Sequence, residues 1–366
     1  MAGPTHVATA EPRRARARQV PEAWGAAGGL VAGLIALTLL SIGLAGLSFG
    51  FHEFVLTVLI NLILVVGMYI FIGNSGVLSF GHISFMAMGA YVAALVSIPT
   101  AQKQFVLPDL PHWLTNAQFA TVPSILIGAV FAGIVGFIVG IPLMRLSGIA
   151  ASIATLALLV ITNVVLGEWE TVTGGRTALV GVPITTTIGA ALAWCVLTIV
   201  TAWLFQRSRV GLRLRGSRED PVAARAAGIG ITRERLIAFA ISAFVVGIGG
   251  GLYGHRIGSF APNDFYFHIT FFLIAMLVIG GIKSLSGAVV GTLTVSVIQE
   301  IIGRLENGEG VGPIHLHLRD GVTDAVLAIL VLLIMLLRPG GITGGRELVL
   351  PSRTMRIFRR RRELAA

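Results

Sequence analysis

Charged side chains are scarce in this sequence, since only 12% of its 366 residues are Asp, Glu, Lys or Arg. A water-soluble domain carries about twice that share. Hydrophobic residues make up 55% of the chain, and the mean hydropathy is +0.88. A chain this apolar would leave much of its hydrophobic surface in water if it were soluble. The composition therefore excludes a large soluble domain and favours an integral membrane protein.

Cysteine and lysine are nearly absent. The single cysteine, Cys195, cannot form an internal disulfide and lies in an apolar run without metal-ligand spacing. The two lysines, Lys103 and Lys283, do not follow glycine as the lysine of a G-x-x-x-x-G-K-[ST] phosphate loop does. The H-E-x-x-H and G-x-S-x-G patterns are also missing. We therefore expect no catalytic residue, no metal site and no cofactor on this chain.

Long apolar runs dominate the rest of the sequence. A membrane-spanning helix needs about 20 largely apolar residues. The third and eighth runs are short or rich in Gly and Ser, but the others approach that length. We predict an all-α, polytopic transmembrane helix bundle over residues 26–340. It has about ten spans, near residues 28–47, 54–72, 82–99, 123–143, 149–167, 188–205, 236–254, 266–282, 285–303 and 321–337.

Arginine placement predicts the orientation. The arginines cluster in an amino terminus that we predict to be disordered (residues 1–25), in a loop at 206–235 and in a basic tail at 341–366. Ten spans put all three segments on one side, with about 22 of the 27 Lys and Arg, and the positive-inside rule makes that side the cytoplasm. Both termini are then cytoplasmic. The net charge of +10 reflects topology, so we expect no nucleic-acid partner.

A short helix is predicted inside the 206–235 loop. Asp220 can cap its amino terminus, and Pro221 suits the first helical position. A run of alanines follows, and Gly228 can end the helix. Its thin alanine face fits the groove of a partner, with arginines and acids as a polar rim. Composition alone equally favours a solvated connector.

Two glycine-rich segments interrupt apolar runs on the predicted cytoplasmic side. The first contains Gly73, Gly76 and Gly81, and the second begins at Gly280 and Gly281. Irregular backbone at membrane depth is tolerated where it is buried in protein or lines a cavity. The segments are therefore either a gate or a site of close helix packing. Their polar candidates for a translocation path are Asn74, Ser79, His82, Ser84, Ser284 and Ser286.

The segment 168–183 lies on the predicted outer side. Its candidates for docking a substrate-delivering receptor are Thr173, Gly174, Gly175 and Arg176. An ordinary glycine-rich loop explains the same residues equally well. The outer loops are too short to hold a folded domain, so a receptor has to be a separate chain.

Four motifs together resemble the LivM-type permease subunits of bacterial branched-chain amino acid ATP-binding-cassette importers. They lie at 73–91, 173–183, 213–233 and 276–287, in the family's order and spacing. Each motif is weak by itself, but four in order are specific, and the resemblance covers about residues 30 to 340. The chain departs from the pattern at 82–85, where close relatives vary.

The resemblance implies the permease fold of these importers in the bacterial inner membrane. It identifies the 206–235 helix as a coupling helix, in which Arg218, Glu219, Asp220, Ala223, Ala224 and Gly228 contact an ATPase. The implied partners are a second homologous permease subunit, two cytoplasmic ATPase subunits that hold ATP and Mg, and a periplasmic or extracellular substrate-binding protein. The implied cargo is a branched-chain amino acid, although urea, amides and aromatic acids use similar permeases.

A stand-alone secondary transporter or channel is the alternative. Such a protein needs coupling-ion ligands or a proton relay within its spans. The apolar runs contain few ionisable residues, and Glu300 lies near a span end. A membrane-embedded enzyme would need a polar catalytic cluster, and the sequence shows none.

Overall fold

A computed structural model describes residues 49–306, 321–338, 340–345 and 347. These residues are largely helical, and they contain one isolated bridge, between Leu179 and Phe260, but no strand. The α-helices are α1 Phe49–Ser75, α2 His82–Ser97, α3 Thr100–Val106, α4 His112–Thr115, α5 Thr121–Leu143, α6 Ile149–Glu168, α7 Glu170–Thr173, α8 Ile188–Arg207, α9 Arg209–Glu219, α10 Pro221–Ala226, α11 Ile231–Ile257, α12 Phe267–Gly280, α13 Leu285–Glu306 and α14 Val322–Leu337.

The predicted all-α membrane bundle is confirmed, but the count of about ten spans is not. Seven helices of the described part are long and apolar enough to cross a membrane: α1, α5, α6, α8, α11, α13, and α12 taken together with the 3₁₀ turn Pro262–Phe265 that precedes it. The predicted first span, 28–47, lies outside the described residues. The predicted tenth span is α14, a shorter helix of 16 residues.

The predicted third span, 82–99, corresponds to α2, and a sharp bend joins α2 to the short helix α3, which was not predicted. Helices α2 and α3 meet at an angle of 119°, and together they would make an eighth span. Pro99 explains the bend, because its ring disfavours a helical conformation at the preceding residue. Ile98 accordingly has an extended ψ of 133°.

Helix ends gather at two opposite ends of the bundle. At one end, Arg235 Nη1 donates to the carbonyl oxygen of Leu146 over 3.3 Å, which joins the start of α11 to the segment after α5. At the other end, Arg256 Nε lies 3.2 Å from Glu53 Oε2, which joins the end of α11 to the start of α1. Helices α9 and α10 lie at the first end, which we call the arginine-rich end.

Glycines bring the central helices into backbone contact. Helix α1 is buried along nearly its whole length and packs against α8, α11 and α13. A Cβ on Gly89 of α2 would lie 2.3 Å from the carbonyl oxygen of Gly247 on α11. A Cβ on Gly250 of α11 would lie 2.0 Å from the carbonyl oxygen of Met86 on α2. The high glycine content therefore allows close helix packing, as in many membrane bundles.

Candidate coupling and gate site

Helix α10 forms as the sequence predicts. The side chain of Asp220 accepts hydrogen bonds from the backbone N–H groups of Val222 (2.8 Å) and Ala223 (2.9 Å). Gly228 has a φ of +77°, and the N–H of the next residue, Ile229, donates to the carbonyl of Ala224 over 3.0 Å. A cap at each end therefore satisfies backbone groups that so short a helix leaves unpaired.

The neighbouring helix α9 is a feature that the sequence analysis missed. The Ser208 hydroxyl caps it by accepting from the N–H of Gly211 over 3.1 Å. Gly211, Leu214 and Ser217 are its buried residues, and their spacing of three is the signal that could have revealed the helix. The predicted coupling segment is therefore two consecutive short helices.

The predicted coupling residues do not all face outward. The side of α10 that faces away from the bundle carries Val222, which is 74% exposed, and Ala223. Ala224 is only 6% exposed, so it packs within the chain. Glu219, Asp220 and Gly228 are exposed. The surface open to a partner is thus smaller than the predicted set.

Arg218 points inward. Its side chain is 16% exposed, and Nη1 donates to the carbonyl oxygen of Gly73 at the end of α1. Its Nη2 lies 2.8 Å from Glu219 Oε1, and this hydrogen bond lowers the pKa of the Glu219 carboxyl. The stem of Arg218 covers Gly76, where a Cβ would lie 2.5 Å from Arg218 Cγ. Arg218 therefore links the coupling segment to the first glycine-rich segment.

That first glycine-rich segment, residues 73–81, is held in place by its neighbours, and we call it the first break. Gly76 has a φ of +71°, which glycine adopts readily. The Ser152 hydroxyl donates to the carbonyl of Leu78 over 2.7 Å, and the Thr155 hydroxyl accepts from the N–H of Phe80 over 3.2 Å. Side chains of α6 thus satisfy backbone groups that no helix pairs.

The polar candidates around the first break are enclosed. Asn74, Ser79, His82 and Ser84 are each 0% exposed. His82 Nδ1 lies 2.9 Å from Ser79 Oγ, and the rings of Phe71, Phe85 and Phe239 surround its imidazole with centroid distances of 5.3 to 6.2 Å. Within the described residues, Asn74 Oδ1, His82 Nε2 and Ser84 Oγ have no hydrogen-bond partner.

The second glycine-rich segment, residues 280–286, lies directly against the first, and we call it the second break. A Cβ on Gly73 would lie 2.8 Å from the carbonyl oxygen of Ile282. Ser284 Oγ caps α13 by accepting from the N–H of Gly287 over 3.0 Å. Ser284 and Ser286 are both 0% exposed. The structure therefore brings the two predicted segments together at the arginine-rich end.

Residues beyond α14 complete the second break, and the sequence analysis gave them no role. The Glu347 carboxylate accepts from the N–H groups of Leu285 (2.9 Å) and Ser286 (3.1 Å). The Thr343 hydroxyl lies 3.0 Å from that of Ser284 and donates to the carbonyl of Gly280 over 2.9 Å. No local sequence pattern marks Glu347, because its contacts are about 60 residues away in the chain.

The predicted receptor-docking residues lie at the opposite end. Thr173 is buried, and its hydroxyl hydrogen-bonds to the carbonyls of Leu166 (2.6 Å) and Trp169 (2.7 Å). Gly174 and Gly175 have φ values of +77° and +66°. Arg176 has a side chain that is 69% exposed and lies 2.7 Å from Glu168. Arg176 is thus the member of this group with the most surface open to a partner.

Comparison with known proteins gives the family. The family described as the permease component of the branched-chain amino acid transport system matches residues 50–337. The chain is 26% identical to the high-affinity branched-chain amino acid transport system permease protein LivM of Escherichia coli, over 74% of this chain and 68% of that protein. It is 27% identical to LivM of Salmonella typhimurium, over 67% of this chain and 61% of that protein.

A shorter match, 33% identical over 28% of this chain and 29% of the relative, is to the autoinducer 2 import system permease protein LsrC of Klebsiella pneumoniae. No solved structure matches the chain. The family match covers both glycine-rich breaks, helices α9 and α10, and the seven helices of the described residues that are long enough to span a membrane. This multi-pass membrane protein belongs to the family of branched-chain amino acid transport system permease components.

Proposed function

We propose that this chain is the membrane-spanning subunit of an ATP-driven importer and that its cargo is a branched-chain amino acid. The observation that carries the proposal is the path from α10 to the first break. A capped helix presents Val222 and Ala223 to a partner, and Arg218, two residues before it, holds the end of a central helix. Such an arrangement transmits the movement of a docked protein into the bundle.

ATP and Mg belong to the partner chains in this proposal. Two cytoplasmic ATPase subunits dock on α10, and their closure on ATP displaces α9 and α10 together. A second homologous permease subunit completes the membrane part. Both termini and the arginine-rich end then face the cytoplasm of a bacterial cell, in agreement with the positive-inside rule.

The two breaks are the gate at the cytoplasmic side. Asn74, Ser79, His82, Ser84, Ser284 and Ser286 are all buried, so a substrate reaches them only after the breaks separate. The unpartnered atoms of Asn74, His82 and Ser84 support this role, because buried polar atoms without partners are costly in a purely structural position. A substrate need bind these groups only weakly, since tight binding would slow its release.

A binding protein delivers substrate at the opposite end. Thr173, Gly174 and Gly175 shape the loop that presents Arg176, and the exposed guanidinium offers a contact to an acidic surface. The tight turns keep this loop ordered before docking. Selectivity among branched-chain amino acids, urea, amides and aromatic acids then resides largely in the delivering protein.

Assembly with its partners tests this proposal. The full chain, carrying an affinity tag and purified from native membranes, should bring with it an ATPase and a related permease in stoichiometric amounts. Ala223→Arg should remove the ATPase and leave the second permease bound, because residue 223 is exposed on α10. Purification of the wild-type chain as a partner-free protein that transports without ATP would refute the importer in favour of a stand-alone transporter.

A further inference from the structure

The segment that follows α14 closes over the second break. The backbone N–H of Ile342 donates to the carbonyl of Ile279 over 2.9 Å, and that of Thr343 donates to the carbonyl of Gly280 over 3.2 Å. Gly341 packs backbone to backbone, since a Cβ there would lie 2.5 Å from the Cα of Gly281. These bonds satisfy carbonyls at the end of α12, which the helix itself leaves unpaired.

Glu347 satisfies the other side of the same break. Its two carboxylate oxygens accept from the N–H groups of Leu285 and Ser286 at the start of α13. A carboxylate at this position also interacts favourably with the positive end of the helix dipole. Residues 342, 343 and 347 therefore supply hydrogen bonds both to the end of α12 and to the start of α13.

The second break also adjoins residues that contact the coupling segment. Gly73 at the end of α1 lies against Ile282, and its carbonyl oxygen accepts a hydrogen bond from Arg218 of α9. The Tyr69 hydroxyl in turn donates to the side-chain oxygen of Gln206 over 3.0 Å, at the end of α8. These contacts connect the end of α1 with α8, α9 and the second break.

We infer that residues 340–345 together with Glu347 form a clamp that fixes the geometry of the second break, and that Glu347 is the positioning residue of this clamp. The clamp stays attached while the gate works, because its bonds include backbone pairs and a glycine contact with no room for a side chain. It moves with α12 and α13 as one unit, so the breaks open where they touch each other, between Gly73 and Ile282.

Hydrogen exchange on the full-length protein tests the clamp without any transport assay. Glu347→Ala should speed amide exchange in the peptide 279–290 by about tenfold or more, because each lost bond to a carboxylate changes the opening equilibrium by roughly that factor. Glu347→Gln retains an acceptor oxygen, so its rate of amide exchange at 279–290 should lie between those of the wild type and Glu347→Ala. Unchanged exchange at 279–290 in Glu347→Ala would overturn the inference.

Glu306 offers a matched control. Its carboxylate accepts from the N–H (2.8 Å) and the hydroxyl (2.7 Å) of Thr323 at the opposite end of the bundle. Glu306→Ala removes the same kind of cap, so it should speed exchange near residue 323 and leave 279–290 unchanged. Equal acceleration of 279–290 in both variants would show general loosening and count against a local clamp.

A disulfide tests whether the clamp stays attached. Ser284→Cys and Thr343→Cys, in a Cys195→Ala background, place two thiols where the hydroxyl oxygens lie 3.0 Å apart. Oxidation should link them rapidly, whereas two thiols that react with maleimide but never cross-link would overturn the clamp. This variant also keeps Glu347, so it remains informative if Glu347→Ala does not fold.

The consequence for transport rests on the proposed function. Glu347→Ala should lose most of its transport, whereas Glu306→Ala, which removes a similar helix cap away from the gate, should transport like the wild type. Wild-type transport by a fully assembled Glu347→Ala complex would overturn the role of the clamp in the gate. If the wild-type protein imports nothing with its partners, the proposed function fails, and hydrogen exchange still decides the clamp.

Discussion

Removal of the Arg218 side chain should uncouple ATP hydrolysis from transport. Arg218→Ala deletes a charge-assisted hydrogen bond to the carbonyl of Gly73, and such bonds contribute about 1.5–3 kcal/mol. The cation also faces the negative end of the α1 dipole, which adds about 0.3–1 kcal/mol. Because the side chain is 16% exposed, we take about 2 kcal/mol as the loss, or roughly a 30-fold change in the coupling between α9 and α1.

Reconstituted complexes separate this effect from a failure to assemble. Arg218→Ala should bind the ATPase normally, since Arg218 points into the bundle, but substrate imported per ATP hydrolysed should fall by at least tenfold. Arg218→Lys keeps a cation on a flexible stem and should recover part of the loss. Arg209→Ala, an exposed arginine on the same helix, should behave as wild type. Full transport per ATP in Arg218→Ala would refute the proposed path of coupling.

Three further substitutions test other parts of the site. Gly228→Pro should abolish ATPase copurification while the membrane bundle keeps its melting temperature, because α10 needs the positive φ at residue 228 to end; normal assembly would contradict this. Gly76→Ala should destabilise the chain by about 1–2 kcal/mol through its φ of +71°, and thermal unfolding in detergent measures the loss. Thr173→Val should weaken receptor binding by loosening the loop that presents Arg176, and unchanged affinity would exclude that loop from docking.

Local sequence patterns predicted the parts of the site whose contacts are local. Asp220 and Gly228 carry their own capping chemistry, so the short helix α10 could be placed from the sequence. Glycines at Gly73 and Gly280 interrupt apolar runs, so the two breaks could be placed as well. The predicted topology placed both breaks on one side of the membrane, and the structure adds a direct contact between them, at Gly73 and Ile282.

Long-range contacts were beyond the reach of the sequence. Arg218 was assigned to the partner surface with its neighbours, because the phase of α9 relative to the bundle is set by the burial of Leu214 against other helices. Glu347 stands in a segment with no recognisable pattern, and its role depends on partners about 60 residues earlier. The predicted third span ended at residue 99, and α3 was missed because its residues Gln102, Lys103 and Gln104 interrupt the apolar pattern.

ATP-dependent uptake is the measurement that tests the central claim most directly. The chain is reconstituted in proteoliposomes with its second permease, its ATPases and its binding protein, and uptake of labelled leucine is followed with ATP on the arginine-rich side. The account predicts uptake that requires ATP and the binding protein and that falls at least tenfold in Arg218→Ala. Uptake by the chain alone, without ATP or partners, would contradict it.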